Sequence, residues 1–169
     1  MTTLAIDPGI YSQLRGALRW NGVEQVAFLF TDPPARPDEL LVRDIYRVPP
    51  EGFDFQSDLH VSLTDQTRAH VIKHAWDLGG ALIETHSHKH GPPGFSPSDL
   101  FGFSDWVPHV RWRLRGRTYI ALVFVAGAFD ALLWEGASGA PSPLQALILD
   151  GQPLLPSGIT YSQLIRGRA

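Results

Sequence analysis

Two histidines and an aspartate within residues 84–99 are the groups in this chain best suited to hold a metal ion. The stretch reads Glu84-Thr85-His86-Ser87-His88-Lys89-His90-Gly91-Pro92-Pro93-Gly94-Phe95-Ser96-Pro97-Ser98-Asp99. Ala81-Leu82-Ile83 leads into it after Gly79-Gly80, a short apolar run that predicts a buried strand. Side chains two apart on a strand share a face, so His86 and His88 project together. Ser96 predicts a helix N-cap with Pro97 at the first helical position. Asp99 then falls in the first turn, its carboxylate free to reach back toward the strand end. Two imidazoles and one carboxylate, with a fourth position left for water, are the donor set of a catalytic zinc site rather than a closed structural one. Zinc held there lowers the pKa of its water from about 15.7 to near 7, which makes hydroxide available at neutral pH.

Each part alone is ordinary. A His-x-His pair is commonly two polar residues at a sheet edge, and Ser-Pro-Ser-Asp is a common helix start whose side chains cap free amides. The combination is specific, because Ser96 stands eight positions after His88 and Asp99 three further on. Glu84, two residues before His86, shares its face and is placed to orient an imidazole or to serve as a base. His90 reads as loop surface.

His86-x-His88, seven residues, then Ser96-x-x-Asp99 resembles the signature of the JAB/JAMM metalloproteases, also called the MPN-plus domain. The family carries a Glu upstream, opening the first long strand after an N-terminal helix. Glu24, ahead of the apolar run Gln25 to Phe30, matches that position. The resemblance runs from roughly residue 10 to residue 135. It implies a single MPN domain over residues 1–169, α/β in class, with a curved mixed sheet flanked by helices in a cytidine-deaminase-like fold. It implies one zinc on His86, His88 and Asp99, with Glu24 as proton shuttle and Ser96 as hydrogen-bond donor to the oxyanion. It further implies an isopeptidase or peptidase acting at the C-terminal tail of a ubiquitin-like protein, with activating or conjugating enzymes as associates. The chain departs from the family at Lys89, where Pro is usual, and in a loop to Phe95 that carries His90 and its own Gly and Pro residues. Neither departure removes a ligand. The alternatives are a silent MPN scaffold, which needs none of these five residues, and another single-zinc peptidase or amide hydrolase. A metallo-β-lactamase type fails because Lys89-His90 does not supply the Asp-His step.

The elements that must position these groups follow from the remaining pattern. Asp7-Pro8 opens a helix with Ile10, Leu14, Ala17 and Leu18 at helical spacing, closed by Asn21-Gly22. Val23 to Phe30 predicts a strand buried on both faces, and Leu40 to Val48 a strand pairing back on it. Phe53 to His60 has no period and reads as a loop. Thr64 caps a helix with Val71, Ile72, Ala75 and Leu78 inward and Gly79-Gly80 at its stop, where His70 and His74 are exposed or capping histidines without an acidic companion. The helix after Asp99 is expected to break at Pro108. Arg111, Arg113, Arg115 and Arg117 alternate with apolar residues, predicting an extended strip with one basic face. Tyr119 to Val125 and Phe129 to Trp134 predict a hairpin. Leu144 to Leu149 predicts a strand with a turn after it, and Tyr161 to Arg168 a closing helix or tail.

Composition limits the functional classes. A net charge of −3 gives no electrostatic footprint for nucleic acid or an anionic membrane. With no cysteine, disulfides and thiolate zinc sites are excluded, so metal chemistry rests on His and Asp. No apolar run approaches the roughly 20 residues of a membrane span and the N-terminus lacks a signal pattern, so the cytoplasm is the expected location.

Overall fold

Short apolar strands that alternate with amphipathic helices must bury both faces of a sheet, and this chain does so in a mixed α/β arrangement. The structure, a computed structural model, describes residues 1–167. β1 (Thr3–Ile6) precedes α1 (Pro8–Ala17), whose N-cap Asp7 accepts the Gly9 amide. β2 (Val26–Thr31) is buried at every position and is followed by β3 (Glu39–Arg47). A ribbon of β4 (Phe53–Gln56) and β5 (Val61–Leu63) leads to α2 (Asp65–Leu78). β6 (Leu82–Ser87), α3 (Pro97–Arg113), β7 (Tyr119–Val125) and β8 (Ala128–Trp134) come next. β9 (Ala146–Leu149), β10 (Gln152–Leu154) and α4 (Ile159–Arg166) complete the order.

Eight strands form one curled sheet in the order β10-β9-β1-β3-β2-β6-β7-β8, and β4 pairs β5 separately. β6 lies antiparallel to β2 and parallel to β7, so the metal-site strand is paired on both edges. Alternation divides the core. Ala27, Leu29 and Ile83 face α1 with Leu14 and Ala17, while Val26, Phe28 and Leu82 face α2 and α3 with Val71, Phe103 and Val107. The second face carries the candidate site. No described helix is long and apolar enough to cross a membrane.

Two glycines set the entry to β6. Gly79 closes α2 at φ 85°, and a Cβ on Gly80 would stand 1.9 Å from the Thr31 carbonyl oxygen. The close approach lets the Ala81 amide donate to Thr31 Oγ1 at 2.8 Å, which seats β6 beside β2.

Several elements differ from the sequence expectation. Thr3–Ile6 is a strand, held by parallel pairing to both β3 and β9. α1 ends with Leu18 as C-cap rather than at Asn21-Gly22, and β2 begins at Val26 rather than Val23. Phe53 to His60 is not a bare loop, since its first four residues pair with β5. α3 runs through Pro108, because burial of Phe103, Val107 and Val110 against the sheet outweighs one missing amide hydrogen bond. The basic strip is not extended. Arg111 and Arg113 end α3, Arg111 donates to the Ser138, Gly136 and Gly116 carbonyls, and Arg117 donates to the Ala75 carbonyl at 3.1 Å. His74 does have an acidic companion, with its Nε2 2.8 Å from Asp44 Oδ2 on β3. Of the expected closing segment, Arg168 lies outside the described residues.

Candidate functional site

The β2–β6 register brings distant residues to one place. Val26 opposes His86, and the pairing continues as the Ser87 amide donates to the Gln25 carbonyl at 3.2 Å. One step further along this register, Glu24 comes opposite His88. Glu24 sits just before β2, with its amide donating to the Ser57 carbonyl and its carbonyl accepting from Gln56 Nε2 at 2.6 Å. β4 and its turn therefore clamp the backbone of this residue. Its side chain is buried, with Oε1 3.6 Å from His88 Nε2.

Asp99 reaches the same place from α3. Ser96 and Asp99 form a capping box, in which the Asp99 amide donates to Ser96 Oγ at 3.2 Å and the Ser96 amide donates to Asp99 Oδ2 at 2.7 Å. Ser96 Oγ also donates to Oδ2, at 2.8 Å. The same Oδ2 lies 3.5 Å from His86 Nε2 and 3.3 Å from His88 Nε2, and the two Nε2 atoms are 3.2 Å apart. One donor atom from each of the three residues thus forms a nearly equilateral triangle.

That triangle fits a metal ion. Ligand bonds of about 2.0–2.1 Å in tetrahedral geometry place neighbouring donors roughly 3.3 Å apart. The three observed separations bracket that value. Among the described residues, His86, His88 and Asp99 are the one such group of His, Cys, Asp or Glu side chains that could hold a metal ion. Imidazole and carboxylate donors suit zinc among other divalent ions.

The electrostatics reflect the crowding. Burial pushes the Glu24 carboxyl above its usual range, against the opposing pull of His86 and His88. For Asp99 burial pushes the same way, but contacts from His86, His88 and Ser96 prevail and hold the carboxyl well below the usual carboxylate range. Burial would lower His86, yet Asp99, Glu84 and Glu24 raise it. Burial also raises Glu84, which accepts a hydrogen bond from the Tyr119 hydroxyl.

All five residues named from the sequence converge here. Glu84 makes no hydrogen bond to an imidazole among the described residues; its hydrogen-bond partner is Tyr119, itself bonded by Trp106 Nε1 at 3.0 Å. His90 is exposed and outside the triad. Lys89, at the departure from the family pattern, places its ammonium 5.8 Å from the Trp20 ring. Three supporting groups had no sequence signal of their own. Phe95 packs against His86 and Phe103, and its amide donates to Thr160 Oγ1 at 2.9 Å. Asp130, fully buried, accepts from the Gly158 and Thr160 amides and so fixes the start of α4 under that loop. His60, at the ribbon turn, lies 3.3 Å from Ser98 Oγ.

Beside His86 and Asp99 opens a cavity of about 300 Å³, walled by β5 on one side and α3 on the other. No model of a known protein family matches the chain, and no curated protein matches its sequence significantly.

Proposed function

We propose that the protein is a zinc-dependent peptidase or isopeptidase of the JAB/JAMM kind, acting at the C-terminal tail of a ubiquitin-like protein. The observation that carries this reading is the donor triangle of His86, His88 and Asp99 with a buried carboxylate, Glu24, against it. Zinc bound by the three residues would supply Lewis acidity and a water acidic enough to react near neutral pH. Glu24 would take up the proton of the attacking water and return it to the leaving amine. Burial raises the Glu24 carboxyl in the metal-free site and a bound cation would draw it down again, so the two influences oppose each other at the group that holds and releases the proton.

Ser96 holds its hydroxyl hydrogen on Asp99 Oδ2 in the capping box. Rotation about its Cβ–Oγ bond would aim that hydrogen at the oxygen of a reacting carbonyl, a contact worth about 2.7–4 kcal/mol where such donors have been removed. The capping box keeps two further hydrogen bonds when the hydroxyl turns.

The substrate class is argued from the ribbon. β6 is paired on both edges, but among the described residues β5 pairs only with β4, and its residues Val61, Ser62 and Leu63 border the cavity next to the triad. An extended tail can add to that edge through main-chain hydrogen bonds and bring a carbonyl to the metal. The MPN fold, with its cytidine-deaminase-like sheet, is part of the same proposal, supported by the curled mixed sheet and its flanking helices. A silent scaffold would have no use for a buried glutamate facing two histidines, since burying a carboxylate carries a penalty. The test is hydrolysis of a ubiquitin-like protein carrying a C-terminal extension, set against the free tail peptide, each with zinc-loaded protein. Cleavage of the fusion with much weaker action on the peptide supports the proposal; equal kcat/KM on both would make this a general peptide hydrolase.

A further inference from the structure

The cavity beside His86 and Asp99 holds a carboxylate that the hydrolytic reading leaves unused. Glu84, on β6, lines it together with residues of β5 and α3. Its Oε2 accepts from Tyr119, and the Trp106 indole N–H in turn donates to the Tyr119 hydroxyl, so that oxygen is tethered. The Trp106 indole N–H also acts on the Glu84 carboxylate, yet Oε1 makes no hydrogen bond of normal geometry among the described residues, while no polar side-chain atom there is buried without a partner. Oε1 therefore opens on the cavity.

Glu84 belongs to none of the ion pairs among the described residues. Arg68 borders the same cavity, but its guanidinium is drawn over the Trp106 ring, 5.7 Å from the centroid. The walls are largely apolar, contributed by Val26, Leu63, Phe103 and Trp106. A volume of about 300 Å³ is at the small end for ligand sites and has room for one long side chain rather than a folded partner. A carboxylate in an apolar slot is stabilised by a counter-charge that arrives on an apolar stem.

We propose that this cavity is a specificity subsite for the residue next to the scissile amide, and that Glu84 selects a lysine or arginine side chain there. The aliphatic stem lies between Leu63 and Trp106, and the cationic head donates to Oε1. The place of this subsite in a reaction rests on the hydrolytic reading; its selectivity in binding does not.

The test is an NMR titration of 15N-labelled protein, with and without one equivalent of zinc, following the Trp106 indole N–H. The probes are butylguanidinium and its neutral counterpart butylurea. Butylguanidinium is expected to bind at least tenfold more tightly in both states. Glu84→Gln is expected to erase the difference, and Tyr119→Phe, which keeps the charge, to preserve it. Equal affinity of the wild-type protein for the two probes overturns the proposal whether or not any variant folds, as does a preference that survives Glu84→Gln. Selective binding by a protein that cleaves nothing upholds the subsite and overturns the hydrolytic reading alone.

Discussion

His86 Nε2 and His88 Nε2 face each other at 3.2 Å, with Asp99 Oδ2 completing the triangle. Two imidazole nitrogens at that distance can share at most one proton between them, whereas a divalent cation satisfies both nitrogens and the carboxylate together. The relationship follows from strand alternation and one helix cap, so it should respond to single substitutions in simple ways.

The base should separate from the ligands. Glu24→Gln removes the proton acceptor and leaves all three donor atoms in place. The variant is expected to bind zinc as the wild type does while losing turnover by about 10²–10⁴-fold, the usual share of general acid–base catalysis. Retained activity in Glu24→Gln with a dead Glu84→Gln would move the base to Glu84. Ser96→Ala is expected to lose about 10²–10³-fold in kcat with a measurable residual rate.

The pH dependence of stability should change sign when metal binds. Glu24 and Glu84 have folded pKa values raised above their unfolded values, so without metal their contribution is full below about pH 4.3 and falls as pH rises. His86 is also raised, and its contribution is lost as pH rises above about 6.5. Asp99 is depressed, so its contribution is present above about pH 3.9 and is lost in stronger acid. Metal-free protein should therefore lose melting temperature between about pH 5 and 8. Zinc-loaded protein should gain it over the same range, because the ligands bind metal only when deprotonated. Parallel thermal melts with and without chelator would show whether the two slopes differ in sign.

Asp130→Ala tests the support beneath the loop. The substitution leaves the Gly158 and Thr160 amides without their acceptor and frees the loop that ends at Phe95. A cost of about 2 kcal/mol is expected. For a chain of this size that is roughly 4–8 °C in melting temperature. Zinc affinity should weaken as well, because Phe95 packs on His86. Melting temperature and zinc affinity both unchanged would show that the Asp130 contacts at the start of α4 do not support the site.

The site was more legible in the sequence than the fold around it. His86 and His88 share a face because a strand repeats every two residues, and Asp99 reaches them because Ser96-Pro97 starts a helix at one defined residue. Glu24 could be named only by resemblance, since its position opposite His88 depends on a pairing register that no local pattern encodes. The Glu84–Tyr119–Trp106 chain was hidden for the same reason, as it joins β6, β7 and α3. Thr3–Ile6 is too short to announce a strand, and its partner Ala146–Leu149 lies near the other end of the chain. Pro108 and the alternating arginines misled because tertiary burial of Val107 and Val110 overrides local propensity.

The most direct test of the account is the zinc stoichiometry of purified protein by calorimetric titration, run beside the His86→Ala/His88→Ala double variant. The wild type is expected to bind one equivalent with a melting temperature raised by roughly 5–10 °C at a hundredfold excess of free zinc over Kd. The double variant is expected to bind none with comparable affinity. Equal zinc uptake by the wild type and the double variant would contradict the assignment of His86, His88 and Asp99 as the metal site.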